Sequence, residues 1–482
     1  MQDPFTRRWT RLTRLTRLTL LAGAAATLSA CASVPKLGAA PQPKPPAAYA
    51  ASQSFAAPAA EWPSDRWWTA YGDAQLSGLI DEALAGSPSL TQAQARVRRA
   101  EAFAEQAGAA LKPQVGLEAS AGAAKQSYNN GVPKAFVPHG WNDVGRAGAD
   151  LSLDLDIFGK NRALLAAAVS DAEAARADAA AARLILATAV AGAYADLAQI
   201  HADRDAAQDA LRVRADSEKL IGQRFEAGLE TRAAFERARA GRAAAEAELA
   251  ALDEATGLAR NAIAALLGQG PDRGLAITRP APGAIRAFGL PGNLQADMIG
   301  RRPDVVAARL TAEAAGKRIK AAKADFYPNV NLTAFVGVQS LGLDMLMKSG
   351  STVGSVGPAV SLPIFSGGRL EGAYRGARAD YDAAVAAYDL TLTQALKDVA
   401  DAAVSTRALD GRLAKSREAL TSAQAAYDLT RMRYARGLGT YLDVLSAEDD
   451  LIANRRAVAD LETRAFTLDV ALIRALGGGY RA

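Results

Sequence analysis

The 482 residues could fill two or three ordinary domains, but a high alanine content with only 6% aromatic residues suits long, closely packed helices better than several compact cores. Five of the 56 basic residues (Arg7, Arg8, Arg11, Arg14, Arg17) and one of the 51 acidic residues (Asp3) precede residue 31, so the formal charge of +5 falls to +1 beyond it, and nucleic-acid binding loses its electrostatic support. A single cysteine excludes an internal disulfide, and two widely separated histidines, His139 and His201, exclude the usual His/Cys zinc clusters.

In chain order, residues 1–30 combine the arginine-rich start with an apolar run from Leu18 to Leu28. The run is too short to stay in a bilayer as a spanning helix, so the segment reads as a removable export signal peptide. Its end, Leu28-Ser29-Ala30-Cys31, resembles the lipobox of bacterial lipoproteins. That resemblance implies that Cys31 becomes a lipidated N-terminus; the other reading is an ordinary signal with an incidental cysteine. Ala32 follows rather than an aspartate, which is compatible with sorting to the outer membrane. Residues 31–61 include Pro41-Gln42-Pro43-Lys44-Pro45-Pro46 and show almost no apolar periodicity, so they read as a tether. Trp62, Trp67, Trp68 and Tyr71 cluster ahead of the first helix, where packing is expected of them.

The remainder is an internal duplication. Ser87-Pro88-Ser89-Leu90 through Leu117 aligns at an offset of 215 with Arg302-Pro303-Asp304-Val305 through Leu332. Leu155-Asp156-Ile157-Phe158 matches Leu362-Pro363-Ile364-Phe365 at 207, and Phe225-Glu226-Ala227-Gly228 matches Tyr434-Ala435-Arg436-Gly437 at 209. The first copy spans 62–270 and the second 301–482, with a Pro/Gly-containing linker over 271–300. Each copy is expected to run helix, two strands, long helix, glycine turn, helix. The helices are predicted over 74–111, 160–226 and 230–267, then 303–326, 369–436 and 440–476.

Asp150 to Asp156 alternates apolar and polar residues, Val330 to Phe335 does so over most of its length, and Gln114–Ala124 and Gly354–Pro363 are weaker partners. Such strands approach the ten residues that a tilted strand needs to cross a membrane. Four strands leave two open edges, which lipid does not tolerate, so several copies must pool theirs around a water-filled lumen. On this reading Asp154 and Asp156 line the lumen. In the second long helix one heptad position reads Val385, Leu392, Val399, Thr406, Leu413, Leu420, Tyr427, Tyr434. Its companion reads Tyr381, Tyr388, Ala395, Ala402, Leu409, Ser416, Ala423, Thr430. This is a coiled-coil seam.

Asp65-Arg66-Trp67-Trp68, Leu290-Pro291-Gly292, Arg301-Arg302-Pro303-Asp304, Phe326-Tyr327-Pro328, Leu362 to Arg369 and Thr440 to Leu445 together resemble the TolC-like outer-membrane efflux family, in particular its NodT-type lipoprotein branch. The resemblance implies a mainly α fold with a small β part. It implies a homotrimer in which four transmembrane strands per protomer build a twelve-stranded barrel above long antiparallel coiled-coil helices. It further implies a location in the outer membrane, a periplasmic adaptor and an inner-membrane transporter of the resistance-nodulation-division type as partners, and a passive conduit for what the pump delivers. The family closes its periplasmic end with acidic rings, which maps one ring position onto Asp443. The second falls on Ser446, a departure that puts a double ring in doubt. Glu448 and Glu236 are possible substitutes, and Tyr434 is a further gate candidate. Gly228-Leu229 and Gly437-Leu438 are implied adaptor contacts as well as plain helix-ending turns.

Nothing resembles a nucleophile elbow, a zinc motif, a phosphate loop or a dinucleotide fingerprint, so no enzyme activity, metal or cofactor is expected beyond the lipid on Cys31. The nearest competitor is an exit duct of a type I protein secretion system. A structural coiled-coil lipoprotein without a pore would leave the paired strands unexplained.

Overall fold

The computed structural model describes residues 34–281 and 288–482; the signal peptide and Cys31 lie outside them. The described residues divide into two compact units, one formed by 34–42, 98–173 and 309–387, the other by 43–97, 174–281, 288–308 and 388–482.

The elements repeat as the sequence does. The first copy comprises α1 (Ala74–Gly86), α2 (Pro88–Ala109), β1 (Gln114–Ala124), β2 (Asn142–Asp154), α3 (Lys160–Glu226) and α4 (Arg232–Leu266). A single turn, α5 (Asp272–Leu275), follows. The second comprises α6 (Leu294–Arg301), α7 (Pro303–Ala324), β3 (Asn329–Leu341), β4 (Thr352–Ser361), α8 (Arg369–Ala435) and α9 (Tyr441–Ala475). The long helices α3 and α8 have 67 residues each, and α4 and α9 have 35 each. At 1.5 Å per residue the longer pair measure about 100 Å.

One expected helix, 74–111, is two. Ser87 is extended, with ψ 127°, and α2 starts at Pro88, whose ring clashes with helical backbone behind it and which lacks an N–H. The second copy has the same broken pair, α6 and α7, so part of the expected linker is helical. In each copy the hairpin ends on a glycine with positive φ tucked against this corner. A Cβ on Gly268 would lie 2.7 Å from Pro88 Cδ, and one on Gly477 would meet the Arg301 carbonyl. A larger residue would have to push the corner apart.

In the second unit, Trp67, Trp68, Tyr71 and the α1 residues Leu76, Leu79 and Ile80 are buried against Val190, Tyr194 and Leu197 of α3, Ile263 of α4 and Phe466 of α9. The clustered aromatics therefore pack, as expected. Asp73 caps α1 by accepting the N–H groups of Gln75 and Leu76, and its other oxygen accepts the Tyr194 hydroxyl at 2.6 Å. Every position of the α8 seam is buried or half-buried. Tyr388, Leu392, Ala395 and Val399 meet Leu472 and Ala475 of α9, whereas Tyr427 and Tyr434 meet Ile221 and Val444. Small seam residues bury little area each, so stability comes from the length of the seam.

The stretch read as a tether is fastened along its described part. Arg378 donates to the carbonyls of Gly38 and Ala39, Asp389 accepts the Lys44 N–H, and Arg407 donates to the carbonyls of Ser54 and Ala56. Proline and alanine supply a chain with few competing hydrogen bonds, and carbonyls left over for arginines to hold.

The first unit carries one antiparallel sheet, in the order β1-β2-β3-β4. Its strands have 11, 13, 13 and 10 residues, longer in β2 and β3 than the alternating stretches alone suggest. β1 and β4 are its free edges.

Candidate functional site

The register assigns each strand residue to a face. Val115 of β1 pairs with Leu151 of β2, which pairs with Ala334 of β3, which pairs with Val356 of β4. The rows on either side read Leu117, Ala149, Val336, Gly354 and Leu153, Leu332, Pro358. This face is apolar and open: Leu117 is 84% exposed and Val356 78%. The opposite face reads Gln114, Ser152, Thr333, Gly357, then Gly116, Asp150, Phe335, Ser355, then Glu118, Gly148, Gly337, Val353. In water an apolar sheet face of this extent is a liability. Against lipid it is satisfied, and its polar reverse suits a wet lumen. Exposed apolar and aromatic side chains stand beyond both ends of the strands, Phe136 and Trp141 at one, Ile157, Phe158, Ile364 and Phe365 at the other.

Of the two expected lumen carboxylates, Asp154 is the last residue of β2. It accepts the Asp156 N–H at 2.8 Å and the side-chain amides of Asn161 and Asn329 at 3.0 and 3.2 Å. Asp156 is not a strand residue and does not line a lumen. It is 7% exposed, with φ +45°. Its carboxylate accepts the backbone N–H groups of Asn161 (2.8 Å) and Arg162 (2.9 Å) and the Arg162 Nε (3.1 Å). Burial pushes this carboxyl up, but these donors outweigh burial and hold it below the usual aspartate range. The alternating pattern carried one period too far because a helix cap and a lumen carboxylate look alike in sequence.

The second site comprises the two helix turns. Gly228 and Gly437 both take positive φ, +73° and +75°. The N–H groups of Leu229 and Leu438 reach back to Arg224 and Arg433 carbonyls at 2.8 and 2.9 Å, the Schellman arrangement. Thr231 and Thr440 then cap α4 and α9. Leu229, Leu438 and Leu442 remain exposed.

Asp443 is exposed and completes a capping box. Its Oδ2 accepts the Thr440 N–H at 2.9 Å and the Thr440 hydroxyl at 2.8 Å, while its own N–H donates to Thr440 Oγ1. The Thr440 backbone donor is the main cause that holds its carboxyl below the ordinary value, so it stays ionised. Ser446, three residues on, is also exposed. Glu236 is exposed and lies 3.7 Å from Arg232 and 4.0 Å from Arg239 on its own helix.

Glu448 does not belong in an exposed carboxylate ring. It is 1% exposed, accepts the Ser217 hydroxyl of α3 at 2.9 Å and lies 3.7 Å from Arg214 Nε. Burial pushes its carboxyl up. At this point of α9 the helix face turns inward against α3, so the carboxylate is enclosed within the protomer.

Tyr434 is buried, and its hydroxyl donates to Glu230 Oε2 at 2.8 Å. The Arg224 guanidinium lies over its ring at 4.7 Å. Two residues of the first copy thus hold the last turn of α8 in the second. Sequence reasoning missed Glu230. Its signal was a difference between copies: Gly228-Leu229-Glu230-Thr231 aligns with Gly437-Leu438-Gly439-Thr440, so one copy carries an acid where the other has glycine.

The family model for outer membrane efflux proteins matches residues 79–269 and 294–478. The crystal structure of the outer membrane protein VceC from Vibrio cholerae superposes with a TM-score of 0.82 at 46% identity, covering 87% of this chain and all of that one. The multidrug resistance outer membrane protein MdtP of Escherichia coli is 28% identical over 95% of this chain and 96% of its own length. The fusaric acid resistance protein FusA of Burkholderia cepacia is 39% identical over 64% of this chain, a match that spans 59% of that protein.

Proposed function

The chain belongs to the outer membrane efflux protein family, and from that premise we propose that three copies close one twelve-stranded barrel that serves as a passive conduit. The protein is an outer-membrane efflux channel, and its family works within tripartite systems with a periplasmic adaptor and an inner-membrane pump. The trimer is our reading, and one observation carries it: a four-stranded sheet with an apolar face, a polar face and two free edges. Unpaired edge groups are costly in lipid. Because the strand number is even, β4 of one copy meets β1 of the next antiparallel, as in every other pair of the sheet.

The rest follows the same logic. The exposed leucines of the two turns are apolar knobs suited to an adaptor, and the pump is of the resistance-nodulation-division type. Kinship with a multidrug resistance protein and a fusaric acid resistance protein supports small organic compounds as cargo. Cys31 carries the lipid that joins the barrel in anchoring the protein. No catalysis is assigned to this chain; the pump supplies the energy. The turns form the closed end, with Asp443 its exposed carboxylate and the Tyr434–Glu230 hydrogen bond its latch.

Planar-bilayer recording tests the conduit. Discrete openings are expected from the wild type, with more leak from Tyr434→Phe and from Asp443→Ala. Silence from well-folded protein would sink the pore; a Tyr434→Phe channel with wild-type leak would sink the latch alone.

A further inference from the structure

The polar sheet face contains one aromatic residue, Phe335, and one arginine, Arg146. Phe335 pairs with Asp150, two residues from the Gly148–Gly337 pair. Its ring lies across both glycines. A Cβ built on Gly148 would be 2.5 Å from Phe335 Cζ, and one on Gly337 would be 2.9 Å from the same atom and 2.3 Å from the Ala147 carbonyl oxygen. The paired glycines are therefore a bed for the ring. At its far end the Arg146 guanidinium is stacked 4.2 Å from the ring centroid, within cation–π range.

The placement matters because of what else shares the face. Glu118, Asp150 and Asp154 lie on it, three carboxylates against one guanidinium per protomer. Among the described residues Arg146 forms no ion pair. The ring lies over Gly148, which separates Arg146 from Asp150 along β2, while the Asp150 carboxylate turns to Gly116 of β1; Arg146 is exposed.

We propose that Arg146, held out on Phe335, sets the charge selectivity of the barrel lumen, giving anions a foothold in an otherwise acidic passage. The assignment rests on the trimeric barrel proposed above, which repeats the guanidinium three times around one aqueous bore. Fixed charges repeated around such a bore bias which ions enter. The device has three parts: glycines that clear a bed, a ring that fills it, and a cation stacked on the ring.

The test is the reversal potential of single channels under a potassium chloride gradient. Arg146→Gln is expected to raise the ratio of potassium to chloride permeability about two-fold or more, and Phe335→Ala to shift it the same way by a smaller factor. Arg146→Cys, built on Cys31→Ala so that no other cysteine remains, makes the reading independent of folding differences, because one open channel is measured before and after reagent. A cationic thiol reagent should lower the ratio towards the wild-type value and an anionic one should raise it. An Arg146→Gln reversal potential equal to wild type, or an Arg146→Cys channel indifferent to both reagents, would overturn the assignment while leaving the pore intact. A wild-type protein without any conductance would overturn the pore, and this assignment with it.

Discussion

At Asp156 one carboxylate closes the junction between β2 and α3, accepting two backbone N–H groups that the first helical turn cannot otherwise satisfy. Asp156→Ala should cost about 2 kcal/mol for the lost cap, with about 1 kcal/mol more for a left-handed backbone that alanine tolerates poorly. Asp156→Asn, which tolerates that conformation and keeps an acceptor, should lose less than half as much; thermal unfolding in detergent would check the order. Glu448 works with the opposite sign. Its folded carboxyl is raised above the ordinary glutamate value of 4.5, so the folded state holds the proton more tightly. The stability this site contributes is complete below pH 4.5 and is lost as pH rises through the raised value. The charged groups around it, Arg214, Arg431 and Asp449, remain in Glu448→Gln, while Tyr427 and Tyr441, which burial first and then the Glu448 charge push up, lose only the second of those causes. Arg214 keeps Asp449 at 2.6 Å. The glutamine should therefore be more stable than wild type at pH 8 and should lack the loss of stability that wild type shows as pH rises above 4.5. A variant less stable than wild type at pH 8 would show that the Arg214 attraction outweighs burial. Neither role was legible beforehand, because a heptad pattern says which face is apolar but not where a carboxylate on it is enclosed.

Among the elements, the long helices were the most legible. An uninterrupted apolar seam with no proline fixes type and length together, and the predicted 160–226 and 369–436 stand within a residue of α3 and α8. The break at Pro88 was readable in principle, since proline at a first helical turn is a start signal; apolar residues continuing on both sides masked it. α6 went unseen because eight residues are too few for periodicity to register. The strands were half legible: alternation revealed Asp150 to Asp154, whereas glycine and alanine in β1, and Phe335 on the polar side of β3, blurred the rest. Register then turned four weak patterns into two opposed faces. The assignment of those faces is directly testable. Val336→Arg, on the apolar side near mid-strand, should cost about 2–4 kcal/mol in lipid and deplete the protein from the outer-membrane fraction. Thr333→Arg, on the same strand but the polar side, should fractionate as wild type. Equal loss from both would mean that the two faces do not divide lipid from water.

For the molecule as a whole, the duplication decides the architecture. One copy supplies two strands and a hairpin of helices, two copies supply a sheet that still has edges, and only a ring of chains removes edges altogether. Sequence alone reached this through counting, because edge groups in lipid are an expense that no side-chain substitution removes. What counting could not supply was the strap of residues 34–60, whose fastening depends on arginines about 340 residues away in the chain. That strap separates two kinds of anchoring. If the barrel holds the protein in the membrane, Cys31→Ala should remove the lipid without dispersing the assembly: native mass spectrometry after gentle detergent extraction should give three chains for both proteins, the variant lighter per chain by its missing acyl groups. Barrel insertion buries an apolar face on every strand, whereas a lipid adds only about 0.8 kcal/mol per buried methylene, so the barrel should dominate. A variant recovered as single soluble chains would mean that the lipid, rather than the closed sheet, carries the protein into the membrane.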